Sequence, residues 1–278
     1  MTLRRLVPLF CLGLCATALV GCGGDAVALD PVANAATKTA DSTSSRFEFS
    51  ASINAGYPNT GSAGTFSFHG NGVYDGKNKS GWMNMNFNLP PDAQAQLGSN
   101  PSMEMIFDGR HGLVMYMRSS MFKMLPAETW VKMDVAKLAK KQGVDLGAIM
   151  NANQADPSQA LRMLMASSGA RVTGSDTIRG VRTTHYAFRI DLKRLVHENK
   201  ALEQLVYMAG ADSIPAQAWI DAQGRVRRLN VVMSMRAPGA PLTMTMTEDL
   251  YDFGVRANIQ PPPDAQVVDI SKLLGASS

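Results

Sequence analysis

Between Trp82 and Pro90 the chain reads WMNMNFNLP, and the alternation is nearly strict: Met83, Met85, Phe87 and Leu89 have one parity, Asn84, Asn86 and Asn88 the other. Successive side chains of a strand point to opposite faces, so the pattern demands an antiparallel strand with one face buried and one wet. The buried face is made of pliable hydrophobes. What lies against it decides what the chain does.

The same period of two recurs along most of the chain. RFEFSASIN puts Phe47, Phe49, Ala51 and Ile53 on one face, and the next run puts Phe66 and Phe68 on one face before a YDG turn at Tyr74 to Gly76. GNGVYDG, Gly70 to Gly76, therefore reads as part of a hairpin turn. SMEMIF (Met103, Met105, Phe107) and LVMYM (Leu113, Met115, Met117) are joined through Asp108-Gly109, a hairpin signal, and WVKMD (Trp130 to Asp134) is a sixth strand. Late in the chain come a hairpin around Arg179-Gly180 and three strands, Ala216 to Asp221, Arg225 to Met235 and Leu242 to Phe253. The last repeats the opening pattern, with Leu242, Met244 and Met246 set against Thr243, Thr245 and Thr247.

Three segments have helical character. Asp30-Pro31 before an Ala-rich stretch to about Asp41 is a cap followed by proline in the first turn. DPSQALRMLMASSG has Asp156 as cap, Leu161, Leu164 and Met165 on one side and Gly169 as its stop, within a helical region from about Lys137. Leu192, Leu195, Val196, Leu202, Leu205 and Val206 form an apolar stripe from Leu192 to about Ala209. The expected fold is α+β: one domain, a strongly curved antiparallel half-barrel of about eleven strands, with helices packed in its concave face.

The first residues have a separate task. Arg4 and Arg5 precede an uncharged run from Leu6 to Val20, and Leu19 to Cys22 read LVGC. The run is short for a membrane span and suits a secretory leader. Small residues before a cysteine resemble the bacterial lipobox, which implies a signal peptide over residues 1–21, a diacylglycerol on Cys22 and a tether over 22–29 ahead of a domain from 30 to 278. Of three cysteines, Cys11 and Cys15 would leave with the leader, so no internal disulfide is expected. With Arg4 and Arg5 gone, the balance falls from 27 basic against 23 acidic residues to 25 against 23, too little to argue for nucleic acid.

Reactive constellations are hard to find. There is no G-x-S-x-G. Ser120 to Lys123 matches S-x-x-K, yet it sits between a strand and Pro126 rather than opening a long helix. His69, His111, His185 and His197 are far apart, with no spacing suited to a metal, and no calcium loop or phosphate loop is present. The expectation is a protein that is not an enzyme and uses no cofactor, with no catalytic and no metal-ligating residues.

WVKMD (Trp130 to Asp134), GSDTIRGVRTTHYAFRIDL (Gly174 to Leu192) and AWIDAQGRVRRL (Ala218 to Leu229), behind a lipobox, resemble the actinobacterial lipoproteins related to LppX and LprG, with the LolA/LolB type of fold. The resemblance implies a half-barrel with an apolar pocket between sheet and helices, and a cargo of acyl lipid, glycolipid or lipidated molecules. It implies a place at the extracytoplasmic face of the cell membrane, with a membrane transporter or another lipoprotein as partner. Methionine is unbranched and polarizable, so a wall of Met83, Met85, Phe87, Met103, Met105, Met115, Met244 and Met246 suits chains of varied length. The alternative is a structural or sensing lipoprotein with a packed core and a protein partner.

Overall fold

The computed structural model describes residues 30–55, 64–110, 112–135, 137, 164, 167–198, 210–237 and 240–270. Cys22 and the expected leader lie outside them, as do His111 and most of the two central segments expected to be helical. Helix α1 spans Pro31–Ala40, α2 Pro91–Leu97 and α3 Leu192–Glu198. The strands are β1 Ser44–Ala55, β2 Gly64–Asp75, β3 Ser80–Asn88, β4 Ser102–Asp108, β5 Val114–Ser119, β6 Trp130–Asp134, β7 Ser167–Ile178, β8 Val181–Asp191, β9 Ser213–Asp221, β10 Val226–Ala237, β11 Ala240–Tyr251 and β12 Val267–Asp269.

All twelve form one curved, unclosed sheet in the order β12-β6-β5-β4-β3-β2-β1-β11-β10-β9-β8-β7. Two meanders, β1 to β6 and β7 to β11, are joined where β1 pairs with β11 over ten residue pairs from Arg46↔Tyr251 to Ala55↔Leu242. Every pairing is antiparallel except β12 on β6. The α+β half-barrel expected from the alternation is the fold observed.

The registers assign the faces. Leu250, Phe47, Gly72, Met83, Met105 and Met117 stand opposite one another in turn, as do Met246, Ala51, Phe68 and Phe87. These residues share the inner face. Val32, Ala35 and Ala36 of α1, Leu192 and Leu195 of α3, and Leu164 are buried in one cluster with inner-face residues such as Phe47, Met83, Ala218, Leu229 and Leu250. Helices therefore fill part of the concavity.

Polar contacts tie α1 in place. The Asp30 carboxylate accepts from Val32 N at 2.9 Å and from Ser167 Oγ at 2.9 Å, joining the helix start to β7. At the other end, buried Thr39 donates to Ala35 O and accepts from Val226 N at 2.8 Å. The β9–β10 turn closes on Asp221, whose fully buried carboxylate meets Arg227 Nε at 2.7 Å and the Arg225 N–H at 2.9 Å. Burial pushes the Asp221 carboxyl up, but the Arg225 backbone N–H and the Arg225 and Arg227 guanidinium groups outweigh it and hold it below the usual carboxylate range.

The outer face has its own cover. Ile106, Tyr116 and Trp130 are buried with Trp82, Val114, Ile259 and Val267, so the segment leading into β12 straps this side. The β7–β8 hairpin turns on Arg179 (φ 48°) and Gly180 (φ 78°), the two positive-φ residues of a tight two-residue loop. Its tip reaches across the sheet, where Arg179 stacks 4.0 Å over Tyr251 and pairs with Glu48 and Asp249.

Two expectations need correction, and two short elements were not anticipated. Gly70 to Tyr74 is interior strand, not turn, because ring packing and not chain reversal is what requires glycine there. The stop at Gly169 fails: β7 already begins at Ser167, and Gly169 (φ 64°) sits within it. Among the described residues the strands number twelve, in line with the expected eleven or so, and the unanticipated one is β12, whose three residues are too short to show a period. Helix α2, between β3 and β4, was not anticipated; it starts on Pro90-Pro91 and its cap has no side-chain hydrogen bond. The helix beginning at Leu192 is described only to Glu198.

Candidate functional site: a methionine and phenylalanine wall

Each of the eight wall residues falls on the inner face. Met83, Met85 and Phe87 come from β3, Met103 and Met105 from β4, Met115 from β5, Met244 and Met246 from β11. Cross-strand register brings them together: Met83 stands opposite Met105, Met85 opposite Met103, and Phe68 of β2 opposite Phe87. Met83 is buried, whereas Met85, Met105, Met115 and Met244 are half-buried against the main core. Met103, Met246 and Phe87 are half-buried as well.

Burial is graded along the strands. The row through Leu250, Phe47 and Met83 is closed, and two to three rows further on Met246, Phe68, Phe87, Met244 and Phe66 remain partly open. A run of phenylalanines connects these levels. Ring centroids step from Phe47 to Phe49 (6.1 Å), Phe68 (6.2 Å), Phe66 (5.8 Å) and Phe87 (6.2 Å). Such spacings fall within the favourable range for aromatic pairs. The result is an apolar track from the core to the rim, next to a flexible Met flank.

Glycine makes the lower track flat. A Cβ added to Gly72 would lie 2.4 Å from Phe47 Cζ, one on Gly70 2.7 Å from Phe49 Cζ, and one on Gly81 2.0 Å from Phe107 Cζ. Each ring lies directly over the backbone of a neighbouring strand, which only glycine permits. The sequence reading missed these glycines as wall residues. Their signal was parity: Gly70, Gly72 and Gly81 continue the inner positions of β2 and β3. It also left Phe47, Phe49, Phe66, Phe68, Met117 and Met133 out of the wall, although their parity was visible.

On the outer face the upper rows of β1, β3 and β11 carry Ser50, Ser52, Asn84, Asn86, Thr245 and Thr247, with charged side chains such as Glu48 and Asp249 lower on β1 and β11, and Glu104 and Arg118 on β4 and β5. Of the histidines, His185 lies on the outer face of β8, away from the wall strands, its ring stacked 4.1 Å from Trp219 and its Nε2 2.9 Å from Gln217 Oε1. His69 is exposed on the outer face of β2 and His197 lies in the last turn of α3. Ser120 and Lys123 occupy the turn between β5 and β6. Among the described residues no group of three or more His, Cys, Asp or Glu is placed to hold a metal, and no helix is long and apolar enough to cross a membrane.

No family model matches the chain. It is 29% identical over 138 residues to a Streptomyces coelicolor protein named as a candidate lipoprotein, a match covering 48% of this chain and 41% of that one. The chain spans less than half the length of the curated relatives it matches, a Streptomyces griseus protein being covered to 49% at 24% identity. Among solved structures it is similar to the lipoprotein LppX of Mycobacterium tuberculosis, at 12% identity and TM-score 0.45, over 83% of this chain and 100% of LppX. LprF from Mycobacterium bovis is similar at 12% identity and TM-score 0.44, over 84% and 95%.

Proposed function

We propose that this chain is a lipoprotein held at the extracytoplasmic face of the cell membrane through lipidated Cys22, and that its half-barrel binds acyl lipids against the inner wall. The observation that carries the proposal is the graded Met and Phe surface. Its lower rows are closed as a core, yet its upper rows stay half-buried without a single charged side chain among Met244, Met246, Phe66, Phe68 and Phe87.

Apolar surface of this kind is costly to leave in water, and an acyl chain is its natural cover. Each buried methylene contributes about 0.8 kcal/mol, so burying about ten gives on the order of 8 kcal/mol before the cost of ordering the chain. Methionine side chains repack at little cost, which tolerates varied chain length. Binding is non-covalent, and the protein performs no reaction on its cargo. Handing that cargo to a membrane transporter or another lipoprotein is the purpose the tether suggests. The leader, the cysteine at its end and the name of the Streptomyces coelicolor relative support the placement at the membrane.

The test is native mass spectrometry with lipid extraction on residues 23–278, free of the anchor. Co-purifying acyl lipid that is lost in Met85→Trp and Met244→Trp variants supports the proposal. A domain that carries no lipid and ignores added fatty acids and glycolipids refutes it and favours a packed core with a protein partner. For the anchor, Cys22→Ser in the full chain should abolish radiolabelled palmitate incorporation and membrane association.

A further inference from the structure

One loop turns its apolar side chains outward. Between β5 and β6 the chain reads MFKMLP, Met121 to Pro126, and Met124 is 97% exposed, the most open large hydrophobic side chain among the described residues. Met121, Phe122 and Leu125 beside it are only half-buried, and Lys123 is exposed between them. Hydrogen bonds fix the loop in this shape. Met121 N donates to Ser119 Oγ at 3.1 Å, Leu125 N to Phe122 O at 3.0 Å and Thr129 N to Pro126 O at 2.9 Å, while Arg118 and Glu128 pair across the base. The end of α2 lies alongside, with Lys123 Nζ 3.8 Å from where a Cβ on Gly98 would stand. Helix α2 buries none of its residues and adds half-buried Leu97 to the same surface. Single exposed hydrophobes are ordinary, but a cluster held outward by an ordered loop marks a contact surface.

The strand pairing places this surface. β5 ends, and β4 and β7 begin, at the end of the sheet toward which the partly open rows of Phe66, Phe87 and Met244 run. Asp30, bonded to Ser167 at the start of β7, is at that end too. Asp30 is eight residues beyond Cys22, so the two are at most about 29 Å apart at ~3.6 Å per residue. The twelve residues of β7, at ~3.4 Å each, extend about 37 Å or more from first to last. A chain anchored at Cys22 therefore cannot stand on the opposite end, where the β2–β3 and β7–β8 turns lie.

Apolar side chains around a lysine suit the boundary between headgroups and acyl chains, where the hydrocarbon enters and the ammonium stays with the phosphates. We propose that the β5–β6 loop is a membrane-contact element: Met121, Phe122, Met124 and Leu125 seat in the bilayer that carries the anchor, and Lys123 lies at its anionic headgroups. The open end of the Met and Phe wall then faces the membrane from which its cargo comes. The inference rests on the anchored reading above and adds which surface of the half-barrel meets the lipid.

The experiment uses the full chain after processing, purified from membranes and set in vesicles of phosphatidylglycerol and phosphatidylethanolamine, with mass spectrometry establishing the lipid on Cys22. A bimane fluorophore is placed on Met124→Cys or, as control, on Lys77→Cys in the exposed β2–β3 turn at the opposite end. Both positions are exposed, so neither change disturbs the core. Lipids spin-labelled in the acyl chain should quench the probe at position 124 by about twofold or more and leave the one at position 77 unchanged. Equal quenching at the two positions in an anchored chain overturns the inference while the anchor stands. A probe at position 124 shielded from aqueous iodide but unquenched by the lipid label marks a protein partner or a second copy on the loop, and overturns it as well. A chain without lipid on Cys22 overturns the anchored reading and the inference together.

Discussion

Adding one methyl group at Gly72 tests whether the flat ring track is a packed feature. The new Cβ would lie 2.4 Å from Trp82 O and 2.4 Å from Phe47 Cζ, and real Cβ atoms essentially never come closer than 3.0 Å. The phenyl ring could swing, but Trp82 O belongs to the β3 backbone opposite Val73 and must retreat by about 0.6 Å against the β2–β3 ladder. Overpacking of this kind costs about 1–3 kcal/mol. Alanine also narrows the unfolded ensemble, which returns about 0.4–1 kcal/mol where no clash exists. Gly174 in β7 supplies the control, because a Cβ there meets nothing within 4 Å. Calorimetry should find Gly72→Ala lowered in Tm by roughly 1–8 °C, the net of about 0.6–2 kcal/mol taken at the ~2–4 °C per kcal/mol typical of domains this size. Gly174→Ala should be unchanged or slightly raised. Equal behaviour of the two variants would refute the claim that close approach of the Phe47 ring and the β3 backbone dictates glycine in β2.

Other perturbations probe the supports of the wall. Asp221→Asn should cost about 2–3 kcal/mol, less than a fully buried pair because Arg225 keeps some water contact, measured by urea unfolding. Since the folded-state pKa of Asp221 lies below its unfolded value, its contribution is full above the unfolded pKa and disappears as pH falls through the folded one. Wild type should therefore lose part of its stability on acidification below about pH 4, and Asp221→Asn should lose less over the same window. Thr39→Val leaves the buried Val226 N–H without its acceptor and should destabilise by about 1–3 kcal/mol, read as a shift in denaturation midpoint with unchanged slope.

Strand pairing was legible because alternation is a local signal. Met83, Met85 and Phe87 declare their face within five residues, and Asp30-Pro31 declares a helix start within two. What escaped was set by contacts distant in sequence. Gly70 and Gly72 looked like turn residues until Phe49 and Phe47 were seen lying over them from another strand. β12 owes its existence to Trp130 and Val131, over a hundred residues earlier, which its three residues cannot show. Glu248 was overlooked for the opposite reason: beside Asp249 in TMTEDLY it reads as ordinary strand polarity, although its parity with Met244 and Met246 already places it opposite Phe49 and Leu229.

The central claim is that acyl chains lie on the inner wall. Photo-crosslinking with a diazirine-labelled acyl glycerol, followed by peptide mapping, measures this directly. Label on the peptides carrying Phe66 to Phe68, Met83 to Phe87 and Met244 to Met246, competed away by unlabelled lipid, is the predicted result. Label confined to the outer strap around Ile259 and Val267, or spread without competition, would contradict it.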